Sequence, residues 1–298
     1  MSNEHFDRQY RLRAGVTGAV GFEIGAPSNP HNTALHISFS VEKTDASALN
    51  TTKITLWNLN QSELDTLART NCELTLCAGY GQQLPCLFKG TVTNVVTDLD
   101  GSDRMTEIEA IDGFAEIKDT FVCMSYRGKT KAIVVIEAAA SKLALPVVYS
   151  RSAKQAVSVF EFSCGYYYAG AAKNVLSAAC KIAKVSWSIQ NGVLHVCKIG
   201  ETINTTAHIL NSDTGLIGVP KKIYNSAVAS GEDTGSSLQD SLFGYEVVYL
   251  LNGAISVNDL VKLESSVVTG LFRVYKLTIE GDNLEGDWQC TAQLVEVE

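Results

Sequence analysis

The segment KITLWNLNQSELDTLARTNCELTLCAGYGQQLPCLFKGTVTNV, which begins at Lys53, constrains the fold of this chain more than any other. An alternating strand leads into a polar turn, one short helix, a second strand, a Gly79-Tyr80-Gly81 turn and a third strand. Ile54 and Leu56 share one face of the first strand, the period of two that a half-buried strand requires. Asn60 stands where it caps the helix, and Glu63 three residues on completes a capping box. Leu64 and Leu67 give the helix its apolar face; it is too short to be stable alone, so packing on the sheet must hold it. Nothing in this unit makes or breaks covalent bonds. It reads as scaffold.

At 298 residues, 46% of them hydrophobic and 19% charged, the chain is long enough for two or three folded units. The net charge of −8 repels phosphate, which disfavours sequence-specific nucleic-acid binding and suits nucleic acid that must pass without adhering. MSNEHFDRQYRLR has no apolar core of a secretory signal, and the most apolar stretch, around Ala132–Val148, is broken by Glu137, Ser141 and Lys142. Synthesis in a reducing cytoplasm and no membrane segment are therefore expected. Eight cysteines (72, 77, 86, 123, 164, 180, 197, 290) contain no C-x-x-C pair, so a zinc site is not expected and buried free thiols are.

Residues 33–42 alternate Leu35, Ile37, Phe39 and Val41 with His36, Ser38, Ser40 and Glu42, which predicts a strand with His36 on its polar face as a solvated or interface side chain. Further strands are expected over 72–78, 86–97 and 104–112, with an acidic turn at 98–103. From Thr130 the period becomes helical: Ile133, Ile136, Ala140 and Leu143 recur before Pro146. A second helix is expected over about 169–184, followed by a hairpin turning at Asn191-Gly192. The last region alternates Tyr275, Leu277 and Ile279, then Trp288, Cys290, Ala292 and Leu294, a long antiparallel hairpin; 225–241 reads as an exposed loop. The fold class is mainly β with an α+β insert: residues 1–118 a barrel domain with one short helix, 119–204 an α+β module of two helices and a hairpin, 205–298 a second barrel. No short repeat is visible.

Candidate chemistry is thin. Arg127-Gly128-Lys129-Thr130 imitates the end of a phosphate loop, but Cys123 stands where the first glycine belongs, and Thr130 suits a helix N-cap. Asp98–Asp103 has its glycine fourth rather than sixth, so a hairpin turn is preferred to calcium; Asp282, Glu285 and Asp287 receive the same reading. His195 alternates with Val193 and Cys197 and reads as a packed histidine. Tyr166-Tyr167-Tyr168, flanked by Gly165 and Gly170, suggests a loop entering a helix and serving packing or an interface rather than sugar stacking. No catalytic, cofactor-binding or metal residues are assigned, and no enzyme activity is expected.

ITLWNLNQSELDTLA, LTLCAGYG, LFKGTVTNV and EIEAIDGFAEIKD together resemble the N-terminal domain of phage tail baseplate hub proteins. The helical module after Gly128-Lys129-Thr130, TGLIGVPKK at Thr214–Lys222, and the closing LLNGAISVNDLVKLES and GLFRVYKLTIEGDNLEGDWQCTAQ continue the resemblance. It implies a structural virion protein of a contractile or related tail. A homotrimeric ring of two tail-tube-like β-barrels per subunit would sit between the hexameric tail tube protein and the spike, with DNA passing through the lumen. The family brings no catalytic residues. Rival readings are a peptidoglycan-degrading enzyme with β accessory domains, a carbohydrate-binding module for host attachment, and a hexameric tube-forming protein.

Overall fold

The computed structural model describes residues 7–25, 34–47, 49–81, 84–198, 200–225 and 242–297. In chain order its elements begin with β1 (Arg8–Gly15), β2 (Phe22–Ile24), β3 (Ile37–Thr44), β4 (Thr51–Trp57), α1 (Gln61–Leu67), β5 (Glu73–Tyr80), β6 (Cys86–Asp100), β7 (Asp103–Ile111) and α2 (Phe114–Lys118). Next come β8 (Phe121–Tyr126), β9 (Thr130–Lys131), α3 (Ala132–Lys142), β10 (Val147–Tyr149), α4 (Arg151–Val159), β11 (Glu161–Phe162), β12 (Tyr166–Ala171), α5 (Ala172–Ile182), β13 (Val185–Gln190) and β14 (Val193–Lys198). The last are β15 (Ala207–Leu210), β16 (Leu216–Asn225), β17 (Leu242–Leu250), β18 (Leu260–Glu264), β19 (Thr269–Asp282) and β20 (Trp288–Glu296).

The molecule is mainly β. Among the described residues, thirteen strands form one sheet in the order β16-β17-β20-β19-β3-β4-β7-β6-β5-β1-β2, with β18 also paired to β19 and β15 to β18. The early and late strands meet edge to edge at β3 and β19, from Thr44 opposite Lys276 to Ser38 opposite Asp282. Their alternation places Ile37, Phe39 and Val41 beside Leu277 and Ile279 on one buried face, so both regions feed a single core. Residues from Val122 to Val196 pack into a second core of their own.

The capping box at α1 forms as expected: Asn60 accepts from Glu63 N–H, and Glu63 accepts from Asn60 N–H, both at 2.9 Å. Other expectations shift. β5 runs on through Gly79 and Tyr80, so the turn begins only at Gly81. In β19 a bulge between Val274 and Lys276 takes Tyr275 out of the alternation; Phe272 and Val274 join Leu277 and Ile279 inside. The late strands are not all antiparallel, because β15 pairs with β18 in parallel; the β16–β17 hairpin lies in the long crossover that such a pair needs. Tyr166–Ala171 is strand, not loop, and α5 starts only after it. The insert also has a third full helix, α4, which the sequence hides because only Ala153 and Val157 of it are buried. Thr130 is not the N-cap of α3. Lys131 holds that position, and Thr130 Oγ1 donates to Gly128 O at 3.2 Å. Residues 226–241, read as a loop, lie outside the described residues.

The insert contains a duplication that the sequence conceals. α3 and α5 are both 11 residues long and start 40 residues apart, at Ala132 and Ala172. Ala132, Val135, Ile136, Ala139 and Ala140 are buried in one, and the equivalent Ala172, Val175, Leu176, Ala179 and Cys180 in the other. Each helix ends on a left-handed residue, Ala144 (φ 55°) and Lys184 (φ 57°). Ala132 N–H donates to Phe160 O at 3.0 Å and Ala172 N–H donates to Thr120 O at 2.9 Å, so each copy satisfies the other's helix start. The strands cross over likewise: Phe162 pairs with Thr130 and Glu161 with Lys131, while Val122 pairs with Gly170 and Phe121 with Ala171. This reciprocity is that of a twofold relation, with β10 and β13 flanking β14 from either side.

At the seam between the two β regions, Gly281 of β19 lies opposite Phe39 of β3, and the Phe39 ring covers it. A methyl group at Gly281 would meet Phe39 Cζ at 2.3 Å, while Phe39 is itself held edge-on by Trp288 at 5.5 Å between ring centroids. Gly281→Ala is expected to destabilise the fold by about 1–3 kcal/mol through overpacking, and Phe39→Leu in the same chain to recover part of the loss. Chemical denaturation of the parent, the single variant and the double variant measures this; a Gly281→Ala protein as stable as the parent contradicts the packing described.

Candidate functional site

Three parts of the chain meet in a buried polar junction: the β3–β4 connection, the end of β7, and the tip of the β13–β14 hairpin. Asn191 (φ 54°) and Gly192 (φ 77°) adopt the left-handed conformation that their turn demands. This leaves two backbone N–H groups aimed out of the tip. The Asp112 carboxylate accepts both, from Asn191 at 2.5 Å and from Gly192 at 2.9 Å. Asn50 Nδ2 donates to Ile189 O at 2.7 Å and to Gln190 Oε1 at 2.9 Å, and Asn50 Oδ1 accepts from Thr44 N–H at 3.0 Å. Lys43 Nζ donates to Asn191 Oδ1 at 3.0 Å, and Gln190 Nε2 donates to Thr44 O at 2.8 Å. Lys43, Asn50, Asp112 and Gln190 are all buried. Next to Asp112, Gly113 (φ 69°) lets Ile189 close in; a Cβ there would sit 2.6 Å from Ile189 Cδ1.

The same β3–β4 connection is tied to the late strands. Arg273 of β19, buried, donates through Nη1 to Asp45 Oδ2 at 2.5 Å and to Asn258 Oδ1 at 2.7 Å. A short run from Lys43 to Asn50 therefore binds the early strands, the late strands and the insert into one piece.

Burial sets the electrostatics. It pulls the Lys43 ammonium down to about 8, against the attraction of Asp112. It pushes the Asp112 carboxyl up, against the amides of Gly192 and Asn191, Lys43 and Asn50. These polar groups are turned on one another, so the arrangement acts as a clamp. The junction was not foreseen from the sequence, yet its signal is in β3: the alternation Ile37, Phe39, Val41 puts Lys43 next on the inward face, where a lysine must find partners.

The residues singled out from the sequence lie apart from this junction or are built into packing. His36 stacks on Trp57 at 3.8 Å and contacts Asp282 at 3.1 Å, because the β3–β19 pairing brings the end of β19 beside it. Burial works against the Asp282 charge, but the amides of Glu285 and Leu284, with His36, hold its carboxyl below the usual range. In the 98–103 hairpin, Asp100 accepts from Trp57 Nε1 at 3.3 Å and Asp103 from Asn58 Nδ2 at 3.0 Å, so the carboxylates serve separate donors. Lys129 reaches Glu161 at 3.9 Å. His195 is a packed histidine: burial, then Lys43, pulls it down to about 4, and its buried Nδ1 has no hydrogen-bond partner among the described residues. Tyr166 and Tyr168 pack on the insert's core and only Tyr167 stands clear, so the three rings do not make one platform. All eight cysteines are free; 72, 77, 180, 197 and 290 are buried and 86, 123 and 164 exposed. Among the described residues no group of three or more His, Cys, Asp or Glu converges on a metal position, and no helix is long and apolar enough to cross a membrane.

Charge is segregated. Of 24 basic and 32 acidic side chains, residues 119–204 carry ten and four, a net +6, which leaves 14 and 28, a net −14, in the rest of the sequence, where Glu4, Glu232, Asp233, Asp240 and Glu298 lie outside the described residues. On the solvent side of the sheet, Glu280, Ser40, Lys53 and Glu109 line up across β19, β3, β4 and β7, and Asp282, Ser38, Thr55 and Glu107 form the next row. Four carboxylates therefore stand on β19 and β7 at either end of these rows, with Lys53 between them and paired to Glu107 at 2.9 Å. Exposed apolar side chains include Val96, opposite Glu107, and, away from these rows, Ile209 and Leu271 flanking Lys262 on β15, β19 and β18, and Ile217 and Val219 on β16.

No protein-family model and no curated protein sequence matches the chain. Solved structures do. A 43 kDa tail protein of prophage MuSo2 from Shewanella oneidensis aligns over 98% of both chains with a TM-score of 0.60 and 9% identity. A tail protein from Neisseria meningitidis aligns over 97% of both, with a TM-score of 0.61 and 9% identity. An Escherichia coli component of the type VI secretion system, described as structurally similar to T4 bacteriophage tail proteins gp27 and gp5, aligns over 91% of this chain and 76% of its own, with a TM-score of 0.57 and 7% identity. The chain has the fold of these tail proteins over nearly its whole length.

Two outcomes follow from the junction. The unfolded chain holds the Lys43 proton up to its ordinary 10.5 and the folded chain only to about 8, so stability rises with pH between those values and the cost of the buried charge is constant below them. The gain across that window is about 3 kcal/mol, and urea titrations at several pH values should find it in the wild type and not in Lys43→Met. Asp112→Ala strands two turn amides and leaves the Lys43 charge without its counter-charge, and is expected to cost about 3–5 kcal/mol in the same assay. A loss under about 1 kcal/mol would mean the clamp is not what holds the insert.

Proposed function

We propose that this chain is a structural hub subunit of a phage or phage-like tail baseplate, in which three copies close into a ring that adapts a hexameric tail tube to a threefold spike. The observation that carries the reading is the tail-protein fold, shared with the Shewanella protein from end to end of both chains. In this reading residues 1–118 and 205–298 are two tube-like β-barrel segments, and 119–204 is the module below them. The β3–β19 pairing, Arg273–Asp45 and the Asp112 clamp support it, because they fix two sheet-built segments at one angle within a subunit. Three such subunits offer six segments to a sixfold tube.

The charge pattern supports a DNA channel. The acidic face across β19, β3, β4 and β7 is the surface we assign to the lumen, where like charge keeps DNA from adhering. The part of the chain that carries −14 would then line the passage, and the +6 insert would face the other baseplate parts, including the spike. The protein would act in the virion tail after synthesis in the host cytoplasm. Its role is assembly rather than catalysis.

Light scattering and cryo-EM of the protein, alone and mixed with its tail tube and spike proteins, test the ring. A threefold particle with six similar barrel segments is expected; a hexamer, or a monomer in every mixture, overturns it. Glu107→Lys, Glu109→Lys and Glu280→Lys together are expected to slow DNA ejection from assembled particles without lowering their number. Ejection at the parental rate would remove this face from the lumen.

A further inference from the structure

Cys77 and Cys86 lie directly opposite each other on the antiparallel pair β5–β6. The register slips just there: Leu76 faces Phe88, Cys77 faces Cys86, and Leu87 is the extra residue of a bulge. Opposed residues of an antiparallel pair project their side chains to the same side, with Cα atoms about 4.5–5.5 Å apart, inside the about 4.4–6.8 Å that a disulfide spans. Both thiols are free, Cys77 buried and Cys86 exposed. From the other side Arg11 of β1 stands opposite Cys77, and the buried Nε of Arg11 has no hydrogen-bond partner among the described residues. A guanidinium with a spare donor beside a sulfur favours the thiolate.

We infer that Cys77 and Cys86 are a redox pair that closes to a cross-strand disulfide when the protein meets an oxidising medium containing a small-molecule disulfide. The exposed Cys86 is the point of entry. Its sulfur bonds to one sulfur of the external disulfide, the thiol proton passes to solvent, and the other half leaves as a thiolate. Cys77 then attacks Cys86 sulfur as a thiolate, expelling the second small thiolate. Two protein thiols are oxidised, one external disulfide is reduced to two thiols, and the two protons lost by the protein thiols are taken up by the two small thiolates or by solvent. Before oxidation the contact between the two sulfurs lowers the Cys77 thiol and, with burial, raises that of Cys86, which gives up its proton to solvent as it attacks. In the mixed disulfide Cys86 has no S–H left to donate, and Arg11 beside Cys77 is the group that favours the thiolate for the second step.

The remaining thiols lack this arrangement. Burial raises Cys180 and Cys197 to about 12, and exposed Cys123 and Cys164 are not paired with another cysteine in the strand registers. The bond would close the β5–β6 hairpin at its bulge, beside Pro85 and Leu87, which pack against Gly253 of the late strands' connection. It would pin the two strands of this hairpin next to the place where it meets the late strands' connection. A tail particle leaves a reducing cytoplasm for an oxidising exterior, and the disulfide would form on that passage; this consequence alone rests on the tail reading.

The full-length chain, incubated with oxidised glutathione at neutral pH, quenched by alkylation in denaturant and mapped by peptide mass spectrometry, tests the pair. A Cys77–Cys86 linkage with loss of those two thiols is expected, whatever the chain's role. Cys77→Ser should leave a stable glutathione adduct on Cys86, and Cys86→Ser should leave Cys77 reduced. A wild type that accumulates the Cys86 adduct without the linkage, or that alkylates at both positions after exposure that modifies Cys123 and Cys164, overturns the inference. Circular dichroism of each serine variant confirms that the comparison is between folded proteins.

Discussion

A hairpin turn whose amides point outward needs an acceptor, and Asp112 supplies it. Most of this architecture depends on that contact. The Asn191-Gly192 tip belongs to the insert and Asp112 to the early strands, and a carboxylate at 0% exposure could not be held there without such donors. A buried ion needs several partners before the attraction offsets the lost hydration. Asn50, Lys43 and the two amides make up that number. The same stretch also carries Asp45 for Arg273, so one short connection touches the early strands, the insert and the late strands and adds directed bonds to the β3–β19 ladder. Apolar packing alone is tolerant of small rotations; directed hydrogen bonds to a rigid turn are not.

The duplication inside the insert has a different physics. A helix start leaves amides unpaired, and neither Lys131 nor Ala171 caps its helix with a side chain. Each copy instead uses a carbonyl of the other, Phe160 for Ala132 and Thr120 for Ala172. Neither half is complete alone, which explains why the strands cross over and why the two helices bury the same five positions. Sequence drift has been permitted wherever a side chain faces solvent: Glu137 in one copy is Ser177 in the other, both exposed, while Val135 and Val175 remain alike inside.

Much of the β scaffold was legible because it follows from local rules. The alternation in β3, β4 and β20, the capping box at Asn60, the turn at Asn191-Gly192 and the long helical periods of α3 and α5 all match the sequence patterns. What escaped is non-local. That β3 pairs with β19, 38–44 against 276–282, cannot be read from either strand, since both are ordinary half-buried strands with open edges. β12 was missed because three tyrosines between glycines look like a turn, and only pairing to β8 makes them a strand. The repeat was missed because Tyr126 and Tyr166, Ala132 and Ala172, or Val135 and Val175 are too few identities to mark it without their shared contacts. Lys43 was overlooked as a polar residue at the end of a strand, although its parity already placed it inside.

The charge division bears on how such a subunit could associate. In the proposed ring, copies with a net charge of −8 each would repel one another, but at physiological salt this repulsion fades beyond about 8 Å. They would meet most favourably through surfaces that carry few carboxylates. The apolar residues Ile209, Leu271, Ile217 and Val219 meet that requirement, for they lie on β15, β16 and β19, and β16 ends the hydrogen-bonded order of the sheet. The carboxylates of β19 and β7 leave the middle of the sheet mostly polar, whereas β16 offers an apolar edge with no strand beyond it among the described residues, which is the kind of border the proposed ring would use for joining.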